Sequence, residues 1–225
     1  MTTIQSRRFA TATDLDAALI ERLHAAISGA NAARTAVMLA GGRTPLPAYR
    51  ELARRSPRPA DGLHVLFSDD RYVPATSASS NYFQLRPLLD ALALPEDRVL
   101  RVRTDLPLEA AAVDYEQQLG RMLRSGVRIG LGLLGLGADG HTASLFDSNQ
   151  LKQARGRLAV AVQRPDGMQG ISVTPDLLAQ VAQPLFLVAG PDKHAIVESF
   201  LRPDSTLTAR RAIAGCPSAE VWIAP

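Results

Sequence analysis

Short apolar runs alternate with helical patterns along the whole chain, and this alternation restricts the fold more than any other feature. The runs are TAVMLA (35–40), LHVLFS (63–68), DRVLRV (97–102), VRIGLGLLGLG (127–137), RLAVAV (157–162), PLFLVAG (184–190) and EVWIA (220–224). They are mostly continuous rather than alternately polar, so they read as strands buried on both faces. Helical periodicity fills the gaps. Residues 13–30 have Thr13 as N-cap and Gly29 at the end, and 44–55 have Thr44 as N-cap and Pro45 at the first helical position. Further helices are expected over 80–92, where Pro87 disturbs the pattern, over 107–123 and over 191–201. Strand then helix, repeated, predicts a three-layer α/β/α architecture around a mostly parallel, Rossmann-like sheet with right-handed crossovers. Sheets of this kind bind ligands at the carboxyl ends of their strands.

The 225 residues show no repeat, low-complexity tract or linker, so a single domain over 1–225 is expected. The lone cysteine, Cys216, rules out a disulfide framework and a cysteine-cluster metal site. No His, Cys or carboxylate cluster has ligand spacing, so neither metal nor cofactor is expected. No apolar run approaches the roughly 20 residues that span a membrane. The N-terminal MTTIQSRRFATATD lacks the apolar core of a signal peptide, which points to the cytoplasm. The formal net charge of +3 comes from scattered arginines, which argues against nucleic acid. Nothing marks a subunit interface, so the chain is expected to be a monomer.

Four segments stand just after expected strands and should converge at one edge of the sheet. In AGGRTP (40–45), Gly41, Gly42, Arg43 and Thr44 lead into a helix, so backbone N–H groups face the crevice and suit a phosphate. In SDDRYVP (68–74), Arg71 offers a two-pronged contact to phosphate or carboxylate, with an Asp holding it in place, and Asp69 is counted with Arg71 among the substrate-binding candidates. GLGADGHTASLF (135–146) sets Asp139 two residues before His141, a residue suited to acid–base work near neutral pH. AGPDKHA (189–195) places Lys193 in the first turn of a helix, where the dipole does not favour a cation and an anionic ligand would compensate it. His24, His64 and His194 rank lower, as a surface residue, a strand opener and a neighbour of Lys193.

Together, and in this order, AGGRTP, DDRYVP followed by SSNY, GLGADGHTASLF and LVAGPDKHA resemble the 6-phosphogluconolactonase family. That family's patterns are close to SGGxTP, DERxVP with a later SN, GxGxDGHxASLF and GxxKA, and the third matches through Phe146. The resemblance implies the sugar-phosphate isomerase and deaminase type of fold. It also implies hydrolysis of 6-phosphogluconolactone, a phosphorylated sugar lactone, in the pentose phosphate pathway. It puts His141 at the general base with Asp139 beside it. Arg71, Lys193 and the 41–44 loop take the positions expected to bind the phosphate.

The chain departs from the pattern at several points. Asp70 stands in place of Glu, Thr76 and Ser77 in place of Asp and His, and Asp147 in place of Pro. Gly170 occupies the position where an Arg often precedes an Ile-Thr or Ile-Ser pair, which affects one candidate substrate contact. Two rivals share the fold. An aminosugar-phosphate deaminase would carry DEY rather than DDR and an apolar-Asn-Glu-Pro stretch after the histidine. A non-catalytic sugar-phosphate sensor would normally carry a helix-turn-helix segment, whereas the N-terminal helix here is expected to run almost directly into the first strand, leaving no room for one.

Overall fold

The computed structural model describes residues 2–29 and 34–225. Its centre is a seven-stranded, wholly parallel sheet. The chain runs through β1 (Thr3–Arg8), α1 (Ala12–Ser28), β2 (Thr35–Leu39), α2 (Leu46–Arg54), β3 (His64–Phe67), β4 (Asp69–Arg71), α3 (Asn81–Leu92) and β5 (Val99–Leu100). It continues through α4 (Leu108–Arg124), β6 (Arg128–Gly135), α5 (Ser148–Gln153), β7 (Ala159–Gln163), β8 (Gln169–Val173), α6 (Pro175–Leu178), β9 (Val181–Ala189), α7 (His194–Leu201), α8 (Thr208–Ala212) and β10 (Ser218–Ala224). The strand order is β1-β10-β9-β6-β2-β3-β5. From β2 the chain moves outward through β3 to β5, then returns to lay β6 on the other side of β2. The order therefore reverses between β2 and β6, and the loops leaving their carboxyl ends lie side by side at the point where such sheets open a crevice.

Both faces of the sheet are dry, as the apolar runs require. Ala36 and Met38 of β2 join one core cluster with Leu134 of β6, Phe186 of β9, and Tyr115 and Leu119 of α4. Val37 and Leu39 join the other with Leu131 and Leu133 of β6, Leu19 and Leu23 of α1, Leu52 of α2 and Leu85 of α3. Successive residues of a strand thus feed opposite cores, the geometric consequence of a period of two. Tyr115 ties one helical layer to the end of β3. Its hydroxyl donates to the Phe67 carbonyl at 2.6 Å and accepts from the Phe67 N–H at 3.0 Å, serving both main-chain groups where the strand leaves the sheet.

The structure revises several sequence expectations. Helix α1 is capped by Thr11, not Thr13: the Thr11 side chain and Asp14 form a reciprocal capping box. The expected last helical residue, at position 30, lies outside the described residues. Helix α2 begins at Leu46, so Thr44 makes no cap and lies in the turn 43–45. Pro87 sits inside α3, which continues through it. The 157–162 run leaves the parallel sheet. As β7 it forms an antiparallel sheet in the order β4-β8-β7. The cause is the Pro165-Asp166-Gly167 turn, closed by Arg164 N–H to the Met168 carbonyl at 2.9 Å, with Gly167 at a φ of 81°. So short a link can only return the chain antiparallel, since a parallel partner needs a long crossover. Strand β1 gave no apolar signal because it is a largely exposed edge, held to β10 through its backbone. Among the described residues no helix is long and apolar enough to cross a membrane.

Candidate active site

A cleft of about 600 Å³ opens where the loops after β2, β3, β6 and β9 meet. Gly41, Gly42, Arg43, Thr44, Asp69, Arg71, His141 and Lys193 all line it, so residues up to 152 positions apart in sequence share one cavity. The backbone N–H groups of residues 41–44 have no hydrogen-bond partner among the described residues. Gly42 adopts a φ of 96°, open to glycine at no cost. Gly41 is needed for space: a side chain there would collide with Asn81.

The loop after β6 is folded tightly on itself. Gly137 N–H donates to the His141 carbonyl at 2.9 Å, Gly140 N–H to the Gly137 carbonyl at 3.0 Å, and the Thr142 hydroxyl to the Gly135 carbonyl at 2.9 Å. Ala143 is held in the left-handed region at a φ of 50°, a strained conformation for a residue with a side chain. These constraints present His141 to the cleft, with Asp139 just behind it: Nδ1 lies 2.5 Å from Asp139 Oδ1, and the His141 N–H also reaches that oxygen at 3.2 Å. Partial burial works to raise the Asp139 carboxyl, but the hydrogen bond and charge of His141 outweigh it and hold the group below its ordinary value. An ionised Asp139 accepts the Nδ1 proton, which leaves the Nε2 lone pair free for proton abstraction.

Arg71 is held otherwise than expected. Among the described residues no aspartate pairs with its guanidinium; Nη1 donates instead to Asn81 Oδ1, while Asn81 Nδ2 donates to the Asp69 carbonyl at 2.8 Å. Arg71 Nε is buried and has no hydrogen-bond partner among the described residues. Asp69 reaches the cleft wall, but its oxygens accept from Ser68 Oγ at 2.8 Å and Ser144 Oγ at 2.7 Å. It therefore fastens the His141 loop to β4 rather than presenting a free carboxylate. Asp70 is the anchor of α3: it accepts from Arg71 N–H, Asn81 N–H, Tyr82 N–H and the Ser80 hydroxyl. A carboxylate there complements the positive end of the helix dipole. Burial nevertheless pushes its carboxyl up to about 6 against the pull of those donors.

Lys193 closes a short 3₁₀ turn (Pro191–Lys193) before α7 and lines the cleft half-buried, with no ion-pair partner among the described residues. His24 and His194 are exposed, and His64 lies within reach of the Gly62 carbonyl at 3.0 Å, away from the cleft. Sequence reasoning assigned no role to Asn81, Ser144, Asp16 or Arg164. Asn81 was within reach, since Ser80 is a recognisable N-cap that fixes where α3 and its first side chains begin. Arg164 carried no signal, because nothing local shows that the β7–β8 hairpin folds over the cleft. Among the described residues no three His, Cys, Asp or Glu side chains gather as a metal site.

A profile of the glucosamine-6-phosphate isomerases/6-phosphogluconolactonase family matches residues 6–222. A 6-phosphogluconolactonase of Thermotoga maritima is 37% identical over 162 residues, 70% of this chain and 70% of its own. The 6-phosphogluconolactonase of Homo sapiens is 33% identical over 208 residues, 86% of this chain and 80% of its own. The crystal structure of a 6-phosphogluconolactonase from Thermotoga maritima superposes with a TM-score of 0.79 at 28% identity, covering the whole of both chains. By its sequence, its parallel sheet and the loops gathered at the sheet's switch point, the chain belongs to the glucosamine-6-phosphate isomerase/6-phosphogluconolactonase family.

Proposed function

We propose that this chain hydrolyses 6-phosphogluconolactone to 6-phosphogluconate, the lactone-opening step of the oxidative pentose phosphate pathway, with His141 as the base. The observation that carries the reading is the Asp139–His141 pair, at 2.5 Å, set in a cleft that also gathers Arg43, Arg71, Lys193 and the free N–H groups of the 41–44 loop. A phosphate needs cations and donors, and a lactone carbonyl needs a base for water.

His141 Nε2 removes a proton from water as the water oxygen bonds to C1, and the carbonyl electron pair moves onto the exocyclic oxygen. Collapse of this tetrahedral species re-forms the carbonyl and breaks the bond from C1 to the ring oxygen. The ring oxygen takes the proton from His141, and the new acid loses its own proton to solvent. Asp139 favours the imidazolium that exists between the two transfers and holds the ring in one orientation. The phosphate, bound by Arg71, Lys193 and the 41–44 loop, supplies binding energy remote from the reacting carbon. We further propose a monomer, and the single cysteine, buried and unpaired, supports a cytoplasmic setting.

The test is hydrolysis of freshly generated 6-phosphogluconolactone, corrected for spontaneous opening, run beside an assay for ammonia release from glucosamine 6-phosphate. Acceleration of the first without the second is the expected result. Ammonia release in place of lactone opening would overturn it.

A further inference from the structure

Arg164 follows β7 and opens the turn into β8, yet its side chain runs back over the hairpin to line the cleft. Its path lies across Gly170. A Cβ at that position would fall 3.4 Å from Arg164 Cδ and 3.1 Å from the Asp70 carbonyl oxygen, so the missing side chain leaves the arginine its channel. The head is fixed from three directions. Nε and Nη2 donate to the Asp166 carboxylate at 3.2 and 3.0 Å. Nη1 donates to Ser144 Oγ at 2.8 Å, and Ser144 in turn donates to Asp69 Oδ2 at 2.7 Å. The guanidinium carbon lies 5.2 Å from the centre of the Phe146 ring. The side chain is 11% exposed, which is low for an arginine that reaches a cleft. A guanidinium has five N–H donors, and these bonds engage three, leaving one on each terminal nitrogen.

Two arginines flank Gly170, and they bond to different partners. Arg71 pairs with Gly170 in the β4–β8 register and reaches Asn81, which packs on Gly41 at the free N–H groups of the 41–44 loop. Arg164 turns to Ser144 and Phe146, and the Phe146 ring centre lies 4.3 Å from that of His141. Arg71 thus neighbours the 41–44 loop through Asn81, and Arg164 neighbours His141 through Phe146.

We propose that Arg164 is a substrate-contacting residue at the C1 end, where its two remaining N–H groups receive the exocyclic oxygen as it gains negative charge and then the carboxylate of the acid product. The inference rests on the reading that C1 lies beside His141. A planar fork suits a carboxylate better than a point charge does. The anchoring by Asp166, Ser144 and Asp69 means that little reorganisation is required when the charge forms.

The experiment compares two inhibitors that carry the same phosphate, 6-phosphogluconate with a carboxylate at C1 and glucitol 6-phosphate with an alcohol there. The wild type should bind the carboxylate ligand more tightly. Arg164→Gln should weaken 6-phosphogluconate by roughly 10- to 100-fold, the range for a hydrogen bond to a charged group. Glucitol 6-phosphate should be held as before, which also reports an intact cleft. Arg164→Lys should keep part of the preference, since it keeps the charge and loses the fork. Equal loss of both inhibitors, an unchanged ratio, or a wild type without preference would each overturn the proposal. Should Arg164→Gln not fold, Arg164→Lys is judged by the same ratio. Because these are binding measurements that need no turnover, they stand apart from the role of His141, which only an activity assay reads.

Discussion

His141 Nδ1 lies 2.5 Å from Asp139 Oδ1, so the ring nitrogen that faces away from the aspartate is the one left to act on a substrate. His141→Ala should lower the catalysed rate by roughly 10²–10⁴-fold, the usual scale for loss of a general base. The protein should stay folded, because the histidine side chain is not part of either core. Asp139→Asn should fall less, since it removes orientation and charge rather than the base. Steady-state rates with far-ultraviolet circular dichroism decide the matter, and a folded His141→Ala variant with wild-type kcat would remove the assignment.

Gly137 lies against the same pair. A Cβ on it would intrude on both His141 Nδ1 and Asp139 Oδ1. Gly137→Ala should therefore part the two side chains and cost on the order of 10-fold or more in kcat, the cost of losing an orienting contact. The half-exposed loop should absorb the added methyl with little loss of stability. Melting temperature and kcat measured together test this: a drop in melting temperature with unchanged kcat would show that the contact matters to the fold and not to the chemistry.

Arg71 and Lys193 are expected to act on affinity for the phosphate. Wild type should strongly prefer 6-phosphogluconolactone over gluconolactone. Arg71→Ala and Lys193→Ala should each shrink that preference by roughly 5- to 100-fold in kcat/KM, less than a fully buried charged pair would cost because the cleft is open to water. Either variant that still discriminates as the wild type does has lost no phosphate ligand.

Asp70 gives a pH dependence of stability. Its carboxyl is raised to about 6 in the folded protein, against an ordinary 3.8. Between those values the folded chain keeps a proton that the unfolded chain has released, so this group's contribution to stability falls as pH rises from about 4 to about 6 and is flat above. Between pH 4.5 and 7.5 the change should be on the order of 2 kcal/mol. Urea unfolding of wild type and Asp70→Asn at both pH values isolates it. The two proteins should differ in pH slope by about that amount, and parallel slopes would refute the assignment.

The layered fold was legible because its strands are buried on both faces. Continuous apolar runs such as those of β2 and β6 have few other ways to be satisfied, and the helices between them dictate parallel pairing. The local candidates were legible for a related reason: a glycine-rich turn after a buried strand, with Asp139 and His141 in it, has few structural uses. Strand β4 was hidden because three residues carry no periodicity. Strand β1 was hidden because its side chains are exposed and its place is fixed by backbone bonds to β10. By itself, then, the sequence determined the layers and the loops where chemistry belongs, since burial pattern and turn residues are local properties. Only the tertiary structure decided that Asn81 rather than an aspartate holds Arg71, that Asp69 fastens Ser144, and that Arg164 bonds to Ser144 and lines the cleft. Those contacts join residues 10, 75 and 20 positions apart, and their partners are chosen by how the antiparallel β4-β8-β7 sheet folds against the parallel one. No local pattern encodes that packing.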